Sequence, residues 1–252
     1  MIIDAHCHAG TGGGLTGPWN TRAPLGRYLR RARAAGIDRT VIFPVFSRDY
    51  ARANRQVAGI AAQHPGRLIF FASIHPRRDQ DRARDLLRVA VEELGACGLK
   101  VHRHDAPATR VICETAGAYG IPIIYDVSGE TYRMEILARE YPQVSFIIPH
   151  LGSFGDDWRA HVAVIDQLAR FPNVYADTSG VRRFDFLARA VRRAGPHKLI
   201  FGSDGPYLHP GLELYKIRLL KLPPEDEQLI LGENLRRLAR LAPERAPAPI
   251  PA

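Results

Sequence analysis

Short apolar runs alternate with longer amphipathic stretches along the whole chain. The apolar runs predict strands at Ile2–His6, Thr40–Val45, Leu68–Ile74, Gly98–His102, Pro122–Asp126, Val144–Pro149, Val174–Asp177 and Leu199–Ser203. Between them, apolar residues recur at helical spacing in Leu25–Ala35, Ala51–Gln63, Arg82–Leu94, Arg110–Tyr119, Met134–Tyr141, Trp158–Arg170 and Phe184–Arg193. A last helical pair lies around Leu212–Lys221 and Glu225–Leu241. Strands this apolar are buried on both faces, as parallel strands covered by helices must be. Eight such repeats in 252 residues match a single-domain (β/α)8 TIM barrel. An open doubly wound sheet fits the same alternation, but it normally turns its first strand into a helix through a GxGxxG fingerprint. Gly10, Gly12, Gly13, Gly14 and Gly17 form neither that motif nor a phosphate loop. They predict a flexible loop over the end of the first strand, suited to act as a lid. The barrel is expected over residues 1–241, followed by a disordered Pro/Ala-rich tail at 242–252.

Composition narrows the class of protein. With 46% hydrophobic and 24% charged residues, the chain reads as an ordinary soluble globular protein. No apolar run approaches the roughly 20 residues of a membrane helix. The start, Met1-Ile2-Ile3-Asp4, enters a strand with no basic leader, so a cytoplasmic location is expected. The three cysteines, Cys7, Cys97 and Cys113, have no CxxC spacing and read as packing residues. The net charge of +9 comes from arginines spread over helix after helix, without the aromatic interleaving of a single-strand binder. That pattern predicts a solvated exterior, no nucleic-acid or membrane partner, and a small-molecule substrate, with an anionic one favoured. A homo-oligomer is compatible with it.

Chemistry in a barrel gathers at the C-terminal ends of the strands, and catalytic residue types recur there. Strand one carries His6 and His8, strand four Lys100 and His102, strand five Asp126, strand six runs into His150, and strand eight ends at Asp204. His75, Arg103, His104 and Asp177 are rim candidates, each equally readable as a hydrogen-bonded structural residue. Two residues apart on a strand, His6 and His8 share a face, so both imidazoles can grip one cation while Cys7 points into the helix layer. Taken alone, an HxH is common, Asp204 is a turn former at a Gly/Pro turn, and His150 is a core histidine. Barrel closure, however, sets strand eight beside strand one and brings His6, His8 and Asp204 to one corner.

The segments Asp4-Ala5-His6-Cys7-His8, Gly98-Leu99-Lys100-Val101-His102, Phe146-Ile147-Ile148-Pro149-His150-Leu151-Gly152, Asn173-Val174-Tyr175-Ala176-Asp177-Thr178-Ser179-Gly180 and Ile200-Phe201-Gly202-Ser203-Asp204-Gly205-Pro206 follow one another in barrel order. In series they resemble the amidohydrolase superfamily, in particular the amidohydrolase-2 branch that includes the aminocarboxymuconate-semialdehyde decarboxylase type. The resemblance runs from residue 1 to about 241. It implies one divalent metal held by His6, His8 and Asp204, with His150 beside a metal-activated water, and Asp204 and His150 as the catalytic pair. The branch commonly places a metal-binding histidine at the end of strand five, where this chain has Asp126 after Pro122-Ile123-Ile124-Tyr125. A carboxylate can replace that imidazole, so Asp126 is expected as a ligand, the alternatives being a role beside the site or a structural one. Zinc is the first expectation, with manganese or magnesium admitted by the added carboxylate. In binuclear members of the wider superfamily a strand-four lysine can be carboxylated. Here Lys100 reads as a free ammonium facing an anionic substrate, with His102 beside it. A lysine snorkelling at a strand end is the plainer reading.

The resemblance therefore implies a metal-dependent hydrolase acting on a C–O or C–N bond of a small anionic substrate. The alternative in the same pocket is non-oxidative decarboxylation of a small aromatic or unsaturated acid. A non-catalytic barrel with a decayed site is a third reading, suggested by Asp126 alone.

Overall fold

In the computed structural model, which describes residues 1–12 and 22–242, the apolar runs form the parallel strands of a barrel. They are β1 (Ile3–Thr11), β2 (Arg39–Pro44), β3 in two segments (Leu68–Phe70 and Ala72–Ser73), β4 (Leu99–His102), β5 (Ile123–Asp126), β6 (Phe146–Ile148), β7 (Val174–Asp177) and β8 (Leu199–Ile200). Each pairs in parallel with the next from β1 to β8. The break in β3 is a change of partner: Phe71 N–H donates to Ile42 O at 3.0 Å, and Ala72 N–H to Gly98 O at 2.9 Å. The wall closes between β8 and β1. There Ala5 N–H donates to Phe201 O at 2.9 Å, Gly205 N–H to His6 O at 3.1 Å, and His8 N–H to Gly205 O at 2.6 Å.

Helices follow the strands as expected: α1 (Leu25–Ala34), α2 (Tyr50–Ala62), α3 (Ala83–Arg88, continued by a π-turn to Glu93), α4 (Arg110–Tyr119), α5 (Tyr132–Glu140), α6 (Trp158–Arg170) and α7 (Phe184–Ala194). The C-terminal pair resolves into α8 (Pro210–Arg218) and a run of α9 (Pro224–Gln228), a π-turn and α10 (Asn234–Leu238). The Asp49 carboxylate caps α2 by accepting from Arg52 N–H at 3.1 Å, and Asp157 caps α6 through Arg159 N–H at 2.9 Å. Many arginines lie on the exterior in ion pairs, such as Arg110 with Glu114 and Arg170 with Asp166. No helix among the described residues is long and apolar enough to cross a membrane. The expected lid lies partly, and the tail from residue 243 wholly, outside the described residues.

Alternation along the strands divides the core into two shells. Ile3, Ala5, Val41, Phe43, Ile69, Phe71, Ile124, Ile147, Tyr175 and Ile200 fill the barrel, while Cys7, Ile42, Phe70, Leu99, Tyr125, Phe146 and Phe201 pack outward against the helices. Strand β1 breaks that rule once. Asp4 pairs with Thr40 but Cys7 with Ile42, so one extra residue is inserted on β1. Without this bulge, an inward Ile3 and Ala5 would send His6 and His8 outward. With it, Cys7 faces the helices and both imidazoles face the barrel mouth.

Asp4 holds the bulge. Fully buried, its Oδ1 accepts from His6 N–H at 3.0 Å and from Ser203 N–H at 2.9 Å, while its Oδ2 accepts from Tyr28 Oη at 2.6 Å and from the Ser203 hydroxyl. Burial raises this carboxyl to about 6, against the pull of those hydrogen bonds. Removing one buried partner of a charged group costs about 1–3 kcal/mol. Tyr28→Phe is therefore expected to lower the unfolding free energy by about that amount, and Asp4→Ala by more, since its donors all lose their acceptor. Urea denaturation of the two variants checks the order.

Candidate active site

The bulge delivers two imidazoles to the corner where β8 meets β1. His6 Nε2 lies 3.5 Å from Asp204 Oδ1, and His8 Nε2 lies 3.3 Å from the same oxygen. Asp204 reaches this position from a left-handed backbone (φ 55°) four residues past the end of β8. His6 is fully buried and its Nδ1 lies 2.7 Å from Asp177 Oδ2. A carboxylate only accepts, so the ring proton sits on Nδ1 and the Nε2 lone pair points into the corner. That Nε2 is buried with no hydrogen-bond partner among the described residues. Burial, reinforced by the Lys100 charge, lowers His6 to about 4, so the ring stays a neutral donor above that pH. Burial likewise lowers His8, against the attraction of Asp204.

His150 enters from the turn after β6. His150 and Leu151 both take left-handed conformations, φ 58° and 49°. Asp177 holds this strained turn by accepting His150 N–H on Oδ1 at 2.9 Å. The His150 ring lies 4.9 Å from that of His6, and its Nδ1 is 2.9 Å from the carbonyl oxygen of Ser179. A carbonyl only accepts, so Nδ1–H donates, and Nε2 faces the mouth, 3.9 Å from Asp126 Oδ2.

Across the mouth, the same face of the wall carries Lys100, His102 and Asp126. His102 Nδ1 accepts from His104 N–H at 3.0 Å, so its Nε2–H donates to Asp126 Oδ2 at 3.0 Å. Asp126 Oδ1 accepts from Ser128 N–H at 2.8 Å. Burial alone would raise the Asp126 carboxyl, but the facing His102, Lys100 and His150 outweigh it and hold it well below the ordinary range. Lys100 is buried, with Nζ 5.2 Å from the centre of the Phe43 ring; burial lowers its pKa while Asp126, Asp177 and Asp204 oppose the shift.

The predicted residues thus converge, in two groupings. Among the described residues, candidate donor atoms come within 4.8 Å of one another in the sets His6, His8, Asp204 and His6, His150, Asp177; Asp126 joins neither and is engaged with His102. Of the rim candidates, His75 accepts from Arg78 N–H at 3.2 Å in a turn, and Arg103 pairs with Glu130 at 2.9 Å. Asp177 is no rim residue: fully buried, it orients His6 and anchors His150. Its position at the end of an apolar strand was the available signal. Ser179, whose carbonyl accepts from the His150 ring, lies in the same Asn173–Gly180 segment that carries the family resemblance.

The sequence model of the amidohydrolases matches residues 3–241, nearly the whole described chain. The chain belongs to the amidohydrolase-2 family. Comparison with curated proteins gives no match. Among solved structures it is similar to 2,6-dihydroxybenzoate decarboxylase from Rhizobium (16% identity, TM-score 0.73, covering 95% of this chain and 98% of that one). A dihydroxybenzoic acid decarboxylase from Polaromonas sp., with bound manganese and the inhibitor 2-nitroresorcinol, is similar too (18% identity, TM-score 0.70, 95% and 97% covered). So is a protein from Pseudomonas putida assigned as 2-pyrone-4,6-dicarboxylic acid hydrolase (19% identity, TM-score 0.71, 96% and 98% covered). At these identities the likeness establishes the fold, a TIM barrel.

This amidohydrolase has a mouth that fits a divalent cation. The buried Nε2 of His6 offers a lone pair that no group among the described residues hydrogen-bonds. Three buried or nearly buried carboxylates, Asp126, Asp177 and Asp204, face one ammonium, Lys100, and a divalent ion would offset that excess of negative charge. If the ion sits in this corner, His6→Ala should strip most of it from a folded barrel. Asp177→Asn, which spoils the orientation of His6 rather than a ligand, should weaken binding by about 10–100-fold. Elemental analysis with competitive chelator titration reads both, and wild-type protein that holds no metal after reconstitution would sink the assignment.

Proposed function

We propose that this amidohydrolase is a metal-dependent hydrolase of a C–O or C–N bond in a small anionic substrate. His6, His8 and Asp204 would hold the ion. Asp126 would complete the set from across the mouth only through lone pairs not engaged by His102 and Ser128. Zinc is the expected metal, and manganese or magnesium becomes more favourable if Asp126 ligates. Bound there, the ion supplies a Lewis acid that polarises a carbonyl oxygen and acidifies water.

The observation that carries the hydrolytic reading is the orientation of His150. With Nδ1–H committed to the Ser179 carbonyl at 2.9 Å, the ring turns Nε2 to the mouth, where an imidazole nitrogen without its proton serves as a base. Asp204 faces the same space, with Oδ1 turned to His6 and His8, and its second oxygen would accept a proton and return it to the leaving group. Lys100 balances the substrate's negative charge in a buried setting where the attraction is little screened. His102, its Nε2–H held by Asp126, keeps a fixed orientation at the substrate's edge.

Decarboxylation is the second reading, favoured by the decarboxylases among the similar structures. It would use the same cation-lined mouth, with Asp204 or His150 delivering a proton to carbon instead of taking one from water.

Metal-reconstituted protein assayed on a panel of small lactone and amide carboxylates, and separately on 2,6-dihydroxybenzoate, divides the two. Acid release without carbon dioxide supports hydrolysis, whereas carbon dioxide release from the benzoate replaces it with the lyase reading. On the substrate so found, Asp204→Asn should remain folded and lose about 10²–10⁴-fold in turnover, the usual cost of a lost general base. Turnover within a few-fold of wild type would transfer the base role to His150. Asp126→Ala should weaken metal binding, and unchanged affinity would remove Asp126 from the ligand set.

A further inference from the structure

Behind the mouth, α8 buries a carboxylate that takes no part in the ion corner. Glu213 is buried, and its Oε2 accepts from Lys216 Nζ at 2.7 Å and from the backbone N–H of Gly180 at 2.9 Å. Burial raises this carboxyl, and the charge of Asp204 pushes the same way, against Lys216 and the Gly180 amide. Lys216 also donates to Val181 O at 2.8 Å. An ion pair that served only its own helix would need no burial, and burial strips both charges of water. This pair faces inward and commits both groups to the backbone of the loop after β7.

That loop holds His150. The Ser179 carbonyl, which accepts from His150 Nδ1–H at 2.9 Å, and the Gly180 N–H, which donates to Glu213, are the two ends of one peptide group. The group is planar and trans, so its C=O and N–H point in opposite directions. His150 therefore holds one end of the plane and Glu213 the other. A turn of the plane away from Glu213 also turns the carbonyl away from the imidazole. A charged acceptor on the N–H further polarises the group and makes its oxygen a stronger acceptor for the ring. The Ser179 hydroxyl, 2.9 Å from the same Nδ1, gives its own proton to Asp177 and so can only accept from the ring; it moves with the same loop. The neighbouring peptides are pinned as well, through Ser179 N–H to Asp177 Oδ1 at 3.0 Å and through Lys216 to Val181 O. Gly180 has a left-handed backbone (φ 64°), and a Cβ there would stand 2.7 Å from the Phe154 ring, which packs edge-on against His150.

We propose that Glu213, aimed by Lys216, is the positioning residue of His150. It acts through the Ser179–Gly180 peptide as the buried carboxylate of a hydrolytic triad acts directly on its histidine. The ring is thereby held with Nδ1 protonated and Nε2 turned to the mouth. Only the consequence for turnover rests on the functional reading above; the hold on the ring does not.

Proton–nitrogen NMR of protein carrying isotopically labelled histidine, metal-free and zinc-reconstituted, reads the hold directly, with the His150 signals identified by their loss in His150→Gln. Wild type should show a slowly exchanging Nδ1–H on His150 in both states. Glu213→Gln, which keeps an acceptor oxygen but not the charge, should move that proton upfield. Glu213→Ala should lose the resonance to exchange with water. Leu214→Ala, which removes a buried apolar side chain from the same helix, should leave it in place and so separates orientation from stability. Three results would overturn the hold: no Nδ1–H on His150 in wild type, an equal change in Leu214→Ala, or an unmoved resonance in folded Glu213→Ala. If the alanine variant does not fold, an unmoved resonance in Glu213→Gln does the same. On a substrate found as above, Glu213→Ala should lower kcat by about 10–100-fold with KM nearly unchanged, the usual cost of losing a group that orients a site histidine. A lost resonance with wild-type kcat supports the hold and removes His150 from the base role.

Discussion

The carboxylate of Asp4 accepts hydrogen bonds from both sides of the seam where the barrel closes, from His6 on β1 and from Ser203 after β8. Tyr28 reaches it from α1. One group thereby secures the extra residue in β1, draws β8 alongside, and ties a helix to both. The facing of His6 and His8, and the approach of Asp204 to them, follow from that seam. A buried carboxylate is tolerated there because its oxygens are fully supplied with donors; left unsupplied it would cost several kcal/mol.

A second carboxylate does comparable work one layer higher. Asp177 takes the Nδ1 proton of His6 on one oxygen and the backbone amide of His150 on the other, so the donor tautomer of one histidine and the position of the other share a single anchor. Ser179 completes the arrangement by bonding to Asp177 Oδ1 at 2.6 Å while its carbonyl holds the His150 ring. The two histidines are therefore not independent, and a change at Asp177 reaches both the candidate ion corner and the candidate base.

The mouth is divided by charge. Carboxylates and imidazoles gather on the β1–β8 side, suited to a cation; the buried ammonium of Lys100 lies on β4, suited to an anion. Hydrolysis and decarboxylation of a small acid ask for the same two halves and differ only in whether the base side removes a proton from water or gives one to carbon. Relatives named for both reactions share this barrel.

The sequence by itself determined the strands and helices in their order, because burial on both faces writes itself as unbroken apolar runs and burial on one face as a helical stripe. It also placed His6, His8, Lys100, His102, Asp126, His150 and Asp204 at strand ends, since in a barrel those ends are all one surface. Only the tertiary structure decided which of them meet. Simple alternation from Ile3 would have turned His6 and His8 into the helix layer, and the bulge that prevents it depends on Ser203 and Tyr28, far away in sequence. The neighbour of Asp126 across the ladder is His102, a pairing that register fixes and local sequence does not. Local patterns report burial and conformation, whereas tautomers, free lone pairs and unpaired donors belong to contacts between distant residues, and these exist only once the barrel has closed.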